Sequence, residues 1–179
     1  MIDIEIDDRQ VRQALQRIQR RISDISPVMR DIGELLAERA KQRFATSTGP
    51  DGQQWAPNAP ATIAAWLAAY GGNFKKRGGL TKQGAARAAS KKPLVGESRA
   101  LSTTIYYQAG GDSVTIGSPM VYAAIHQFGG QAGRGRRVTI PPRPFLPITA
   151  SGQWLGDADR AAVLDIIGDA LRGALDGRA

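Results

Sequence analysis

Cysteine is absent from the 179 residues, which excludes disulfides, thiolate nucleophiles and cysteine-ligated zinc together. A chain without it suits a reducing cytoplasm. Histidine occurs once, as His126, so a multi-histidine metal site is excluded as well. Aromatic residues make up only 6%, which leaves few large anchors for a core. No apolar run approaches the ~18 residues that span a bilayer. The acidic start MIDIEIDD also lacks the pattern of a secretory leader, so no membrane partner is expected.

Basic charge dominates what is present, with 24 Lys and Arg against 16 Asp and Glu and a net charge of +8. It is unevenly spread. Residues 71–99 hold Lys75, Lys76, Arg77, Lys82, Arg87, Lys91, Lys92 and Arg99 against Glu97 alone. Arg134, Arg136, Arg137 and Arg143 form a second cluster without a nearby acid, whereas residues 151–179 carry five aspartates against three arginines. Such asymmetry suits a basic face that meets a polyanion or an acidic protein surface.

Periodicity points to a single α+β domain over residues 1–179. Long, kinked N-terminal helices and a C-terminal helix are expected to pack on a small, mainly antiparallel sheet. MIDIEI alternates like a half-buried strand, with Asp7 or Asp8 capping the helix that follows. Val11, Leu15, Ile18 and Ile22 then form one helical stripe flanked by five arginines, which reads as a solvated face. Ser26-Pro27 restarts the helix, with Ser26 as cap and Pro27 at the first position. The second helix runs to about Phe44 and buries Val28, Ile32, Leu35, Leu36, Ala40 and Phe44.

GPDGQQWAP is a turn-rich loop anchored by Trp55. Asn58 is placed to cap a helix from Pro60 to Tyr70. The glycine-punctuated basic stretch 71–92 has only Phe74 and Leu80 as large apolar residues, so it is expected to be a mobile loop. STTIYYQA and SVTIG read as a hairpin across Gly110-Gly111-Asp112. Ser118-Pro119 starts a short helix on which Tyr122, Ile125 and Phe128 share a stripe beside His126 and Gln127. Gly129 and Gly130 end that helix. Val138-Thr139-Ile140 feeds PPRPFL, whose prolines limit it to an edge or an extended arm, and the arm spans 130–150. A last helix, Ala161 to Leu175, carries Leu164, Ile167, Leu171 and Leu175 on one side.

Catalysis finds little support. His126 has no G-x-S-x-G nucleophile elbow to serve, and it reads as a structural residue that hydrogen-bonds backbone or a neighbouring chain. Asp157/Asp159 and Asp165/Asp169 read as charged helix surface, since nothing supplies the raised pKa of a general acid. GRGRR at 133–137 lacks the strand–glycine–helix setting of a phosphate cradle. No enzyme, no cofactor and no metal site is expected.

Four segments together carry a family resemblance. YAAIHQFGG at 122–130 and IPPRPFL at 140–146 resemble the Y-A-x-I-H-Q-x-G-G and I-P-x-R-P-F-L segments of the phage virion morphogenesis family. GPDGQQWAPNAPAT at 49–62 is similar to its G-x-x-W-x-P-x-x-P-x-T segment, and VTIGSPMVYAAIH at 114–126 to the V-x-I-G-[ST] strand that precedes the histidine. LVGESRALSTTI at 94–105 departs from the L-V-D-T-G-R-L-x-x-S-I of relatives. The likeness covers roughly residues 35–150.

This resemblance implies a structural protein that completes the phage tail or joins it to the head, as a neck component found in the virion and, during assembly, in the host cytoplasm. It implies a ring of identical copies, sixfold to match the tail, in contact with other neck and tail proteins and with DNA in passing. Trp55, Tyr122, His126, Gln127, Phe128, Gly129, Gly130, Arg143, Pro144 and Phe145 are then the expected partner contacts. Phe145 is the expected anchor, and Arg143 is poised for a partner carboxylate. The basic-loop residues Lys75, Lys76, Arg77, Lys91 and Lys92 would become ordered on assembly. A nucleic-acid-binding protein is the alternative, motivated by charge but lacking aromatic–basic interleaving and any helix-turn-helix.

Overall fold

Helix α1, Ser26–Thr46, is the axis on which the remaining elements are laid. The computed structural model describes residues 24–176 together with Arg12, Gln13, Gln16 and Gln19, which are helical. The expected N-terminal strand, its aspartate cap, most of the first helix and the kink before Ser26 lie outside the described residues. At the start of α1 the cap position is Ile25, not Ser26, and Pro27 sits in the first turn. The side-chain acceptor comes one step earlier, because Asp24 Oδ1 accepts the Ser26 N–H at 3.1 Å. The Ser26 side chain, and then this backbone bond, hold the Asp24 carboxyl below its ordinary range.

The buried side of α1 is Ile32, Gly33, Leu36, Ala37, Ala40, Arg43 and Phe44. Across it lies a hairpin of β1 (Tyr106–Ala109) and β2 (Val114–Gly117), antiparallel with Tyr106 opposite Gly117. Gly33 permits this close approach, since a Cβ there would stand 2.3 Å from Tyr107 Cδ2. Helix α4, Ala100–Thr103, leads into the hairpin and buries Leu101. A second ribbon pairs β3 (Gly130–Ala132) with β4 (Val138–Ile140), Gly130 opposite Ile140. The class is α+β, and among the described residues two separate antiparallel ribbons stand in place of one small sheet.

One short hairpin recurs three times, bridged at Thr48/Gln54, Phe74/Leu80 and Ile148/Trp154. In each, the fourth turn residue is a glycine with positive φ, Gly52, Gly78 or Gly152. Its N–H donates to the carbonyl of Gly49, Lys75 or Thr149, at 3.0 Å in every case. A left-handed residue there is what a type I turn followed by a bulge requires, and glycine adopts it without strain.

Residues 71–92 are therefore not irregular throughout, contrary to the sequence expectation. After the Phe74–Leu80 hairpin comes helix α3, Lys82–Ser90, capped by Thr81 Oγ1, which accepts the Gly84 N–H at 3.0 Å. Asn73, fully buried, replaces the missing apolar surface. Its Nδ2 donates to Leu67 O at 2.9 Å and Tyr70 O at 3.0 Å. This closes the end of helix α2, Pro60–Ala68. Ala59 holds the cap position of α2, whereas Asn58 donates to Lys91 O at 3.2 Å. A polar network, invisible to hydropathy, orders this region.

The core is Ala37, Ala40, Phe44, Trp55, Leu101, Ile105 and Phe145. Phe44 is its centre, with the Trp55 ring edge-on and the Phe145 ring tilted, each 5.3 Å between centroids. Burial of a side chain like Phe145 contributes about 1.5–3 kcal/mol. The last helix, α6 (Ala158–Asp176), starts earlier than expected and buries Asp159 and Ala174. Its leucine and isoleucine stripe faces outward: Leu164 is 57% and Leu175 49% exposed.

Candidate functional site

Helix α5, Ala123–Phe128, has one buried residue, and it is the amide Gln127. The expected apolar stripe is not its buried face. Tyr122 stands at the cap position and is exposed, as is Phe128, while Ile125 is half-buried. Gly129 ends the helix at φ 74°, where a Cβ would come within 2.9 Å of Pro142 Cδ. The chain must therefore turn there on a glycine to bring PPRPFL back alongside α5.

Gln127 uses its whole amide on that returning segment. Oε1 accepts the N–H groups of Phe145 at 2.9 Å and Leu146 at 2.8 Å. Nε2 donates to Leu146 O at 2.9 Å and Ile148 O at 3.0 Å. A single side chain thus acts as a partner strand for a stretch whose prolines could not join a ladder. Other carbonyls of the segment are met in the same way. Trp55 Nε1 donates to Pro144 O at 3.0 Å, and Arg43 Nη1 donates to Phe145 O at 2.7 Å.

Arg143 is only 6% exposed. Its backbone N–H donates to His126 O, its Nε to Ala56 O and its Nη2 to Pro57 O, all at 2.7 Å. No partner carboxylate is needed to satisfy it. Phe145, at 1% exposure, is a core residue. Both corrections share one cause. The prolines stiffen the segment, but its carbonyls and one aromatic ring are consumed by the chain's own side chains, so 141–148 is built into the body.

His126 is half-buried, its ring edge-on to Tyr122 with centroids 5.9 Å apart. Its Nδ1 is buried without a hydrogen-bond partner among the described residues. Burial, and then the Arg143 charge, push its pKa below the usual histidine value. The ring thus stands neutral at neutral pH, in a cleft of about 430 Å³ with Asn58, Leu94, Ile140 and Arg143 in its walls. The imidazole hydrogen bond expected from the sequence is not formed at Nδ1. Among the described residues no group of three or more His, Asp or Glu side chains could hold a metal ion.

Sequence reasoning missed the ion pair beneath this site. Asp159, expected on the helix surface, is 1% exposed and meets Arg43 inside the protein and Arg39 at 3.1 Å. The signal was available: Arg43 lies seven residues after Leu36, on the buried face of α1. The basic residues divide. Lys75, Lys76 and Arg77 are exposed on the Phe74–Leu80 hairpin. Lys91 Nζ sits 4.8 Å over the Trp66 ring and Lys92 Nζ donates to Ala45 O at 2.6 Å, so both are tied to the body.

The residues that join α1, Trp55, α5 and 143–148 are also those of the recurring sequence segments. A family model described as the phage virion morphogenesis family matches residues 6–172. The chain belongs to the phage virion morphogenesis family. Its match extends beyond the 35–150 stretch in which the motifs were legible. The Mu-like prophage FluMu G protein 2 of Haemophilus influenzae is 32% identical over 94% of this chain and 95% of its own length. The putative capsid assembly protein G of Escherichia phage Mu is 30% identical over 87% of this chain and 94% of its own length. No solved structure matches the chain. Family membership gives the chain a structural role in virion assembly and points away from catalysis. No described helix is long and apolar enough to cross a membrane.

Proposed function

We propose that this chain completes the phage tail and joins it to the head, as a non-catalytic ring of identical copies in the neck of the virion. The family match over residues 6–172 carries the reading. It is supported by a relative named for capsid assembly and by motif residues that build a rigid body instead of a reactive centre. Sixfold symmetry would fit a tail, and other neck and tail proteins would be the neighbours. Electron microscopy of particles made without the protein tests this. Separated full heads and tails are the result expected for joining, and tails of aberrant length for termination. Normal infectious particles would overturn both.

A second reading, direct contact with DNA, is favoured by two exposed basic tips. Arg134, Arg136 and Arg137 cap the β3–β4 ribbon, and Lys75, Lys76 and Arg77 cap the Phe74–Leu80 hairpin. Phosphate contacts release counterions, so affinity for duplex DNA should fall steeply between about 50 and 200 mM salt. No binding at the lower salt eliminates this reading and leaves assembly intact.

A further inference from the structure

Residues 60–90 are tied together from within. Leu67 and Asn73 are buried there. Besides the two Asn73 bonds to α2, the Thr81 N–H donates to Asn73 O at 2.9 Å and Thr81 Oγ1 donates to Gly72 O at 2.7 Å. Gly84 lets α3 lie directly on this knot, because a Cβ there would stand 2.2 Å from Asn73 O. The Arg87 guanidinium covers the Tyr70 ring, 4.9 Å from its centroid, and joins α3 to α2 a second time.

The same unit is barely joined to the rest of the protein. Helices α2 and α3 have each other as their main packing neighbours. None of their residues belongs to the core around Phe44 or packs against it. Among the described residues, no hydrogen bond or ion pair runs from 60–90 to the body beyond the two linkers, 56–59 and 91–95. The linkers carry the ties instead. Asn58 clasps one to the other through Lys91 O, Lys91 Nζ donates to Val95 O at 2.5 Å, and Lys92 Nζ reaches Ala45 O. Both linkers are fixed where they meet the body: Arg143 holds the Ala56 and Pro57 carbonyls, and Leu94 and Val95 pack against the core.

Open space lies to either side. A groove of about 790 Å³ separates Trp66 of α2 from Lys41, Phe44 and Ala45 of α1. The cleft of about 430 Å³ separates Ala59 and Thr62, at the start of α2, from Val138 and Ile140 of β4. We propose that residues 60–90 are a hinged lobe that swings as one body about Asn58–Ala59 and 91–94, closing the groove beside α1 in one pose and the cleft beside β4 in the other.

The backbone marks the pivot. Leu94, where the exit linker meets the core, lies at φ 59°, a left-handed conformation that strains any residue with a Cβ. Rotation about that bond carries everything before it and relieves the strain, so the present pose is not the only one of low energy. Pro93 stiffens the linker on the lobe side, which concentrates the motion at Leu94. Hinges of this kind are a few loop residues that absorb the dihedral change. The exposed Phe74 and the Lys75, Lys76 and Arg77 tip ride on the lobe. The swing therefore re-aims that basic tip, and a partner touching lobe and body together selects one pose.

Nitroxide pairs on introduced cysteines test this, since the native chain has none. Glu38→Cys with Ala86→Cys spans body and lobe. Ala64→Cys with Ala86→Cys lies within the lobe, and Glu38→Cys with Asp165→Cys within the body; all four positions are exposed. Pulsed double electron–electron resonance should give the spanning pair a distance distribution about twofold wider than either internal pair, or one with two peaks. A spanning distribution as narrow as the internal ones overturns the hinge. So does a lobe pair as broad as the spanning pair, which would mean that the lobe loosens within itself. Asn58→Ala opens the clasp and should broaden the spanning distribution further with both internal pairs unchanged; no change in the spanning pair also overturns the hinge. Should a label at Ala86 disturb α3, Lys82→Cys, exposed at the start of that helix, replaces it in both pairs.

Discussion

Arg43 and Asp159 stand 116 residues apart in sequence and form an ion pair inside the protein, with side chains 9% and 1% exposed. Arg43 also donates to Phe145 O at 2.7 Å. One guanidinium therefore joins α1, the proline-rich segment and the last helix. Breaking a buried pair from one side leaves an uncompensated charge, so Asp159→Asn should destabilise the fold by about 3–5 kcal/mol. Replacing both, as Arg43→Met/Asp159→Leu, should be less harmful than the sum of the single losses. Urea denaturation of the four proteins measures this. An additive double variant would mean the pair is not coupled.

Gln127 makes a charge-sensitive prediction. Gln127→Ala leaves two N–H groups and two carbonyls of 145–148 without their side-chain partner. Each unpaired buried group costs about 1–3 kcal/mol. Gln127→Glu keeps the size but turns an oxygen toward the Leu146 and Ile148 carbonyls. That carboxyl is held protonated by its surroundings, so its folded pKa lies above the unfolded value of about 4.3. The folded state then binds the extra proton, and stability is recovered as pH falls. Melting curves at pH 7 and pH 5 should show Gln127→Glu gaining on Gln127→Ala at the lower pH. An unchanged difference would place position 127 in contact with solvent.

For His126 the sign is the reverse. Burial and the Arg143 charge push its folded pKa below the ordinary value of 6.5. Between those two values the unfolded chain binds a proton that the folded chain refuses, so stability is lost as pH drops below about 6.5. His126→Gln removes this titration. The wild type should lose more thermal stability than the variant between pH 7 and pH 5. Parallel curves would show that the imidazole is freely solvated.

Helices α1, α2, α5 and α6, the pairing of the first hairpin and the glycine stop after Phe128 were legible because local chemistry decides them, whereas α3 was read as loop and Ser102–Thr103 of α4 as strand. Trp55 was legible as an anchor for the same reason, as a lone aromatic in a turn-rich loop. What eluded the sequence was which side chains face inward when polar groups do the holding. Gln127 was read as the neighbour of a stripe, Asp159 as surface charge, and 71–92 as too polar to fold. Each depends on a partner that the local pattern does not supply: the Phe145 N–H for Gln127, the Arg43 guanidinium for Asp159, and the Leu67 carbonyl for Asn73. Phe145 and Arg143 were misplaced by the converse error. Proline-rich segments with an aromatic and an arginine have the composition of a docking arm, and only the tertiary partners show that this one is already docked.

That distinction can be measured on two phenylalanines, one in the proline-rich segment and one at the end of α5. Phe145 is 1% exposed and Phe128 is 42% exposed. Phe145→Ala should remove about 3–5 kcal/mol of stability, and Phe128→Ala less than about 1 kcal/mol. If Phe128→Ala nonetheless lowers virion yield in a protein of normal stability, that ring belongs to a partner surface. Equal destabilisation by both would contradict the burial described here.

Gly33 offers the sharpest test of how the first hairpin meets α1. A Cβ at this position would lie 2.3 Å from Tyr107 Cδ2, 2.8 Å from its Cγ and 2.9 Å from Val114 Cγ2. All three are side-chain atoms, so the clash is relieved by moving the hairpin off the helix or by displacing the Tyr107 ring. Alanine favours a helix interior over glycine by about 1 kcal/mol, and the overlap must outweigh that gain. Gly33→Ala should therefore be destabilising by about 1–3 kcal/mol. Tyr107→Ser should rescue it, because removing the ring opens the space while the helix keeps its better residue. Tyr107 is 36% exposed, so its own removal is tolerable. A Gly33→Ala protein as stable as the wild type would show that the hairpin rides higher on α1 than these distances allow.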